Sequence, residues 1–457
     1  MSETPTREIG GELEELANAV VRRALDGGAD EVALSVGRSQ FVEARRRQGK
    51  IERLRASTSR GLSLALFADK RFSTHATSVL QRPALERFVD EALAMTRHLH
   101  KDPFRGLADP ALYGPAECAD LELRDPDYEV MTMDQRLELL ERLEAAAQQE
   151  RAADRAGGGS RPELVSVATG VVTQRSASLQ LHSNGFRGAR SSTVFSLGSS
   201  VTVRGEGERR PSDHAWAARC RRADLPDVAE VGQEACRRAL GRVGARKIES
   251  GRMALVVENR AASRLLGALL APLSGSSLQQ KRSCLEGKLG ESIASPLLNV
   301  VDDPFIRGGL GSRTYDGDGL AARRRSIIEA GVLREYLIDV YYGRKLDLQP
   351  TGAGTSNLTL EGGEGDLMAL LAPVQRGVLV TSFLGGNANP ATGDFSFGIV
   401  GQRIDSGKLT QPVGEMNITG NTCELWRRLE AVAADAYADS AWRLPSLRFG
   451  DVQFSGA

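Results

Sequence analysis

Leu13, Leu16, Ala17, Val20, Val21, Ala24 and Leu25 recur at the helical period, so the chain opens with an amphipathic helix. Gly27-Gly28 stops it, as glycines past a helix end usually do. Strand-like runs follow at 31–36, 41–46 and 62–67, with Arg45-Arg-Arg-Gln-Gly-Lys50 as an exposed connection. A second helix is predicted over 83–98, with Pro83 early, where a missing N–H costs little. Residues 101–128 carry four prolines and little periodicity, which predicts a surface connection. Leu137, Leu140, Leu143 and Ala146-Ala147 are in step along a helix over 134–151. A glycine-rich, flexible loop is expected near 151–162.

From Leu164 the period changes to two. Strands are predicted at 165–173 and 177–182, turning at Asn184-Gly185, where both residues tolerate positive φ, and returning over 191–203. A helix near 228–240 leads to Lys247-Ile-Glu-Ser-Gly251, where the domain boundary falls. Beyond it the chain is rich in glycine and short strands. A strand at 253–257 and a short apolar helix at 261–270 come first. Hairpins follow at 326–338 and at 397–413, the latter tipped by Asp405-Ser-Gly407. The expected class is α+β. An N-terminal domain (1–245) combines helices with a mostly antiparallel sheet. A β-rich C-terminal domain (246–457) forms a barrel-like or strongly curved antiparallel sheet.

Composition narrows the function. Lys and Arg number 59 and Asp and Glu 59, which removes the usual electrostatic case for nucleic acid or an anionic membrane as partner. No run approaches the ~20 apolar residues that span a bilayer. The polar start lacks a signal-peptide core, so the cytoplasm is the expected compartment. Five scattered cysteines, none in a Cys-x-x-Cys pair, read as reduced thiols.

Familiar catalytic patterns are missing. There is no Gly-x-Ser-x-Gly elbow. Gly401-Gln-Arg-Ile-Asp-Ser-Gly-Lys408 has one residue too many for a phosphate loop, and Leu409 stands where Ser or Thr is needed. Asp316-Gly-Asp318-Gly lacks the further acids of a calcium loop. His98 and His100, two apart, splay to different sides of a helix. His182, beside the Asn184-Gly185 turn, is expected to be a hydrogen-bonded structural residue.

Three segments carry a family likeness: Gly311-Ser-Arg-Thr-Tyr-Asp-Gly-Asp-Gly-Leu320 leading to Arg323-Arg, Gly385-Gly-Asn-Ala-Asn-Pro-Ala-Thr-Gly-Asp-Phe-Ser-Phe-Gly398, and Gly414-Glu-Met-Asn-Ile-Thr-Gly-Asn421. They resemble the TldD/PmbA family of cytoplasmic peptide-degrading proteins. That family has two kinds of subunit. One carries zinc on a His-Glu-x-x-x-His helix plus a distant Cys, and the other, TldE or PmbA, lacks those ligands. The matching stretch here, 257–267, holds Glu258 but no His, and the matching loop, 439–446, holds no Cys. Cys423 lies upstream of that loop, and all five His precede 246.

The resemblance therefore implies a non-catalytic, TldE-like subunit of a cytoplasmic heteromeric metallopeptidase that degrades or processes unfolded peptides. It implies no cofactor and no catalytic residue in this chain. Zinc is expected only in a TldD-like partner subunit. An extended peptide would bind by strand addition, which supplies sequence-independent main-chain hydrogen bonds. Arg313, Asp316, Arg323, Asn387 and Asp394 are the expected peptide- or partner-facing residues. Two alternatives stay open: a stand-alone homodimeric peptide-binding scaffold, and a hydrolase with an unrecognised site.

Overall fold

The structure is a computed structural model that describes residues 10–114, 120–153, 162–352 and 354–456. Cys118 and most of the loop expected near 151–162 lie outside the described residues.

The first half is built on one six-stranded antiparallel sheet. Its strands are β1 (Glu31–Arg47), β2 (Lys50–Ala68), β3 (Arg71–Thr77), β4 (Leu164–His182), β5 (Arg187–Val203) and β6 (Ser212–Arg219), in the order β3-β2-β1-β4-β5-β6. The runs predicted at 31–36 and 41–46 are one strand. The polar stretch between them stays paired, with Arg38 opposite Arg60 and Gln40 opposite Thr58. The connection expected at Arg45–Lys50 shrinks to Gln48-Gly49, both at positive φ, with Arg47 paired to Lys50. Side-chain period alone could not show that pairing continues through a polar run.

Helices cover one face of this sheet in two blocks. Helices α1 (Gly11–Asp26) and α2 (Arg82–Thr96) bury Leu13, Ala17, Val20, Leu85 and Val89 against Leu34, Leu64 and Leu179. Helices α3 (Met133–Ala153) and α4 (Val228–Leu240) cover the other end over Val171, Phe195 and Leu197. They cross closely at Gly232, where a Cβ would stand 2.4 Å from the Leu143 carbonyl oxygen. The segment expected to be a surface connection is instead anchored. Leu107, Ala108 and Leu121 are buried, and the Leu107 N–H donates to Glu31 Oε2 at 2.8 Å.

From Gly251 the chain closes a barrel. Strands β7 (Gly251–Val257), β12 (Arg376–Ala388), β13 (Asp394–Asp405), β14 (Lys408–Asn421) and β17 (Leu447–Ser455) pair in the cycle β14-β13-β12-β7-β17, with β17 returning to β14. Strand β15 (Leu429–Val432) adds to β17 outside the cycle. All these pairs are antiparallel except β7–β12. Beside the barrel lies a small sheet of β8 (Val300–Asp302), β9 (Arg325–Glu329), β10 (Val332–Leu333), β11 (Leu358–Leu360) and β16 (Trp442–Arg443). Helix α5 (Ser263–Leu270) packs between them. One core runs from Phe397, Ile418 and Phe454 through Leu265 and Leu269 to Val300 and Ile328. Strand side chains alternate between this core and solvent, which is the pattern expected of a small closed barrel.

Among the described strands, β6 and the outer half of β12 are two of those with one unpaired edge. Strand β6 pairs only with β5. Strand β12 pairs with β7 only over Gly377–Val380, so among the described residues its second half has β13 on one side and no strand on the other.

Candidate functional site

Strand β7 ends at Val257 and turns into α5 through Glu258-Asn-Arg-Ala-Ala262. The Glu258 N–H donates to the Val380 carbonyl at 3.0 Å, and the Glu258 carbonyl accepts from Ala261 and Ala262. This fixes the start of the helix below the open half of β12. The Asn259 N–H donates to Ser446 Oγ at 3.1 Å, and its Nδ2 donates to the Asp435 carbonyl at 2.6 Å. Fully buried Ser446 in turn donates Oγ–H to Asp435 Oδ2 at 2.7 Å. The helix start and the loop at 439–446 are thereby held together. These are the two stretches that the family likeness sets side by side.

They meet at a cavity of about 330 Å³. Asn259, Ser263, Ser440 and Trp442 line it from those stretches, Trp216 from β6, and Thr381 and Phe383 from β12. Tyr437 closes the wall, donating its hydroxyl to the Trp216 carbonyl at 3.3 Å. Burial pushes its pKa up to about 12, so it remains a donor at neutral pH.

Guanidinium groups dominate the chemistry. Arg238, from α4, donates from Nη1 to both Glu258 carboxylate oxygens at 2.7 and 2.8 Å and from Nη2 to the Thr381 carbonyl at 3.1 Å. Burial raises the Glu258 carboxyl, and Arg238 opposes that shift. Arg260 donates to the His214 carbonyl on the β6 edge at 3.3 Å. Arg264 donates to the Gly386 carbonyl on the β12 edge at 2.5 Å and lies 4.7 Å from the Phe397 ring centre. Arg238, Arg260 and Arg264 therefore cap carbonyls along both open edges.

A catalytic zinc needs about three His, Cys or carboxylate donors with an open position. These residues do not fit one. Glu258 on the helix start is tied up by Arg238, Asp213 in the lining is paired with Arg238 and Arg242, and the other neighbours are Asn, Ser, Arg and His214. Among the described residues no group of three or more His, Cys, Asp or Glu side chains could hold a metal ion.

The expected site residues fall in two places. Arg313, Asp316 and Arg323 line a second cavity, of about 280 Å³, between the small sheet and residues 111–112 of the first half. Its floor is the Asp302–Arg325 pair. Arg323 is ion-paired with Glu335. Asp316 is buried, and its Oδ1 accepts the N–H groups of Asp318 and Leu320 at 2.9 and 3.0 Å. It therefore shapes the loop as well as facing the cavity. Asn387 and Asp394 lie elsewhere, on the β12–β13 hairpin. Asn387 is exposed on the open edge of β12, and Asp394 accepts from Asn421 Nδ2 at 3.2 Å.

His182 is buried beside the same loop. Its ring nitrogens meet Gln180 at 2.9 Å and the Tyr113 hydroxyl at 3.1 Å. Burial lowers its pKa to about 4, so it is neutral near pH 7. Sequence reasoning missed Arg238, Trp216 and Tyr437, which reach the first cavity from distant segments. One signal was available: Arg260 and Arg264 sit i, i+4 in the very stretch where ligands would be sought.

Comparisons with known proteins fit this geometry. Family profiles for the PmbA/TldA metallopeptidase match residues 32–96 as domain 1, 126–243 as the central domain and 250–456 as the C-terminal domain. Metalloprotease PmbA of Escherichia coli O157:H7 is 28% identical, across 97% of this chain and 96% of that protein. The metalloprotease PmbA homolog of Haemophilus influenzae is also 28% identical, across 100% and 99%. A solved structure from Bacteroides thetaiotaomicron, described as a candidate modulator of DNA gyrase, is 39% identical with a TM-score of 0.92, covering 98% of this chain and 100% of that one. TldE from Thermococcus kodakarensis shares the fold at 21% identity and a TM-score of 0.83, covering 96% and 100%. With all three domains matched and the whole length aligned, the chain belongs to the TldD/PmbA family.

Proposed function

We propose that this chain is a TldE-like, non-catalytic subunit that pairs with a zinc-bearing TldD-like relative to degrade or process unfolded peptides. One observation carries the reading. The cavity where the family's ligand-bearing stretches meet is furnished with Arg238, Arg260, Arg264, Asn259 and Ser263; its lining carboxylate Asp213 and the adjacent Glu258 are both paired with Arg238. That donor set favours carbonyls and carboxylates over a metal. Zinc and the general base would come from the partner.

The two open edges supply the second half of the reading. An extended peptide binds where backbone N–H and C=O groups lack a strand neighbour. Here β6 and the outer half of β12 both flank the cavity. Trp216 and Phe383 offer apolar surface for side chains of any sequence.

Co-expression with a zinc-bearing relative tests this. A complex should elute as one species and cleave an unstructured peptide in a chelator-sensitive way, whereas the chain alone should not cleave it. Chelator-insensitive cleavage by the pure chain would defeat the proposal. Arg313 gives a finer test. Its guanidinium donates to a single carbonyl, that of Gly354, at 2.7 Å. Arg313→Ala should shift the thermal midpoint by only a few degrees, as near-surface changes usually do, while peptide cleavage by the complex falls. A variant that unfolds, or one with full cleavage, would count against it.

A further inference from the structure

Among the described residues, two charges of the second cavity make no ion-pair contact. Arg323 is paired with Glu335, and Arg325 with Asp302. Arg313 is different: among the described residues, no carboxylate oxygen lies within ion-pair distance of it, and its one hydrogen bond goes to the Gly354 carbonyl. Asp316 is 92% buried, with 8% of its surface exposed. Both loop N–H groups go to its Oδ1, and Oδ2 has no hydrogen-bond partner among the described residues. Burial holds its carboxyl above the usual range, against the opposing pull of the Leu320 and Asp318 N–H groups and of Arg313 and Arg190.

Two glycines keep the space before these charges open. A Cβ at Gly352 would stand 3.2 Å from Asp316 Oδ2, and a Cβ at Gly354 would stand 3.7 Å from the Arg313 guanidinium nitrogens. Residues two apart are separated by at most about 7 Å. The anionic and cationic groups therefore face the cavity from either side of this short segment. Leu112, Leu320 and Pro350 give the walls an apolar surface.

We propose that this cavity binds a short free peptide of about dipeptide size. Its α-ammonium group meets Asp316 and its α-carboxylate meets Arg313. A cavity of about 280 Å³ suits a ligand of that size. The inference goes beyond the subunit reading and does not depend on it, since binding is read without any cleavage.

The test is isothermal titration of the purified full chain with Ala-Ala, N-acetyl-Ala-Ala and Ala-Ala amide. Ala-Ala should bind. Each blocked analogue should bind about ten- to hundredfold more weakly, the usual worth of a charged hydrogen bond. Arg313→Gln should weaken Ala-Ala but leave the amide unchanged, since the amide has already lost that contact. Asp316→Asn should weaken Ala-Ala but leave the N-acetyl form unchanged. If Asp316→Asn does not fold, Arg313→Gln alone decides, because Arg313 touches only one carbonyl. The proposal fails if Ala-Ala shows no binding at millimolar concentration. It fails equally if the blocked forms bind as well as Ala-Ala, or if Arg313→Gln changes nothing.

Discussion

Asp302→Ala is expected to lower the unfolding free energy by about 3–5 kcal/mol, the usual cost of leaving one member of a buried ion pair alone. Both Asp302 and Arg325 keep only 4% of their side-chain surface exposed. Asp302 Oδ2 accepts from Arg325 Nε and Nη2 at 3.1 and 3.0 Å. Its Oδ1 accepts the Ser356 N–H at 2.7 Å and the Ser356 hydroxyl. Arg325 also donates to the Thr351 and Gly354 carbonyls. One pair therefore ties β8, β9 and the approach to β11. Removing the carboxylate leaves the guanidinium with only its 3.4 Å contact to Glu335 as a counter-charge and strands two Ser356 donors. The double variant Asp302→Ala/Arg325→Met removes the stranded charge and should recover part of the loss. Urea unfolding measures both. A single-variant cost below about 1 kcal/mol would show that the network does not hold the sheet.

Asp318→Asn is expected to stabilise the protein near neutral pH and to steepen its acid loss. Burial raises the Asp318 carboxyl from its usual 3.8 to about 6, with Asp316 and Asp339 adding to the rise. A raised carboxyl favours the folded state fully below pH 3.8, and that contribution is lost as pH rises through about 6. At about 1.4 kcal/mol per pH unit the gap is worth roughly 3 kcal/mol. Asn keeps an acceptor for the Val340 N–H, which meets Asp318 Oδ2 at 3.2 Å. It should gain most of that amount above pH 6.5 and nothing below pH 4. His182 works in the opposite direction. Its pKa falls from 6.5 to about 4, so its neutral form supports the fold above pH 6.5, and that support is lost as pH falls toward 4. In the parent the two slopes oppose each other. In Asp318→Asn the opposing Asp318 slope is gone, and the His182 slope, roughly 3 kcal/mol between pH 6.5 and 4, is left uncancelled by it. Denaturant unfolding at pH 4.5, 5.5 and 7.5 checks this. Parallel profiles for variant and parent would refute it.

Much of the fold is legible along the chain because period reports burial. The helix of Leu13 to Leu25, the Asn184-Gly185 hairpin and the Asp405-Ser-Gly407 tip all follow from local rules. The unbroken course of β1 does not, since Arg38, Ser39 and Gln40 are ordinary loop residues that only their partners on β2 and β4 make strand. Barrel closure is equally invisible, because it rests on β14 meeting β17 at Asn417 to Thr419.

The site is legible in part. Glu258 and the Asp439–Ser446 stretch could be found by likeness, but Arg238 belongs to a helix twenty residues earlier and reads there as one more surface cation on an amphipathic face. Arg313, Asp316 and Arg323 gather around one cavity. Asn387 and Asp394, equally glycine-flanked and polar, lie on a different hairpin. Composition cannot separate such loops, because their meeting depends on which sheet each one crosses.

The account rests on a family cavity furnished with arginines where metal ligands would stand. Its most direct test is the metal content of the purified chain after exposure to zinc and removal of the unbound ion. The arrangement of Glu258, Arg238, Asn259 and Ser263 predicts well under one zinc per chain. One zinc per chain, retained through gel filtration and lost in Glu258→Gln, would contradict it.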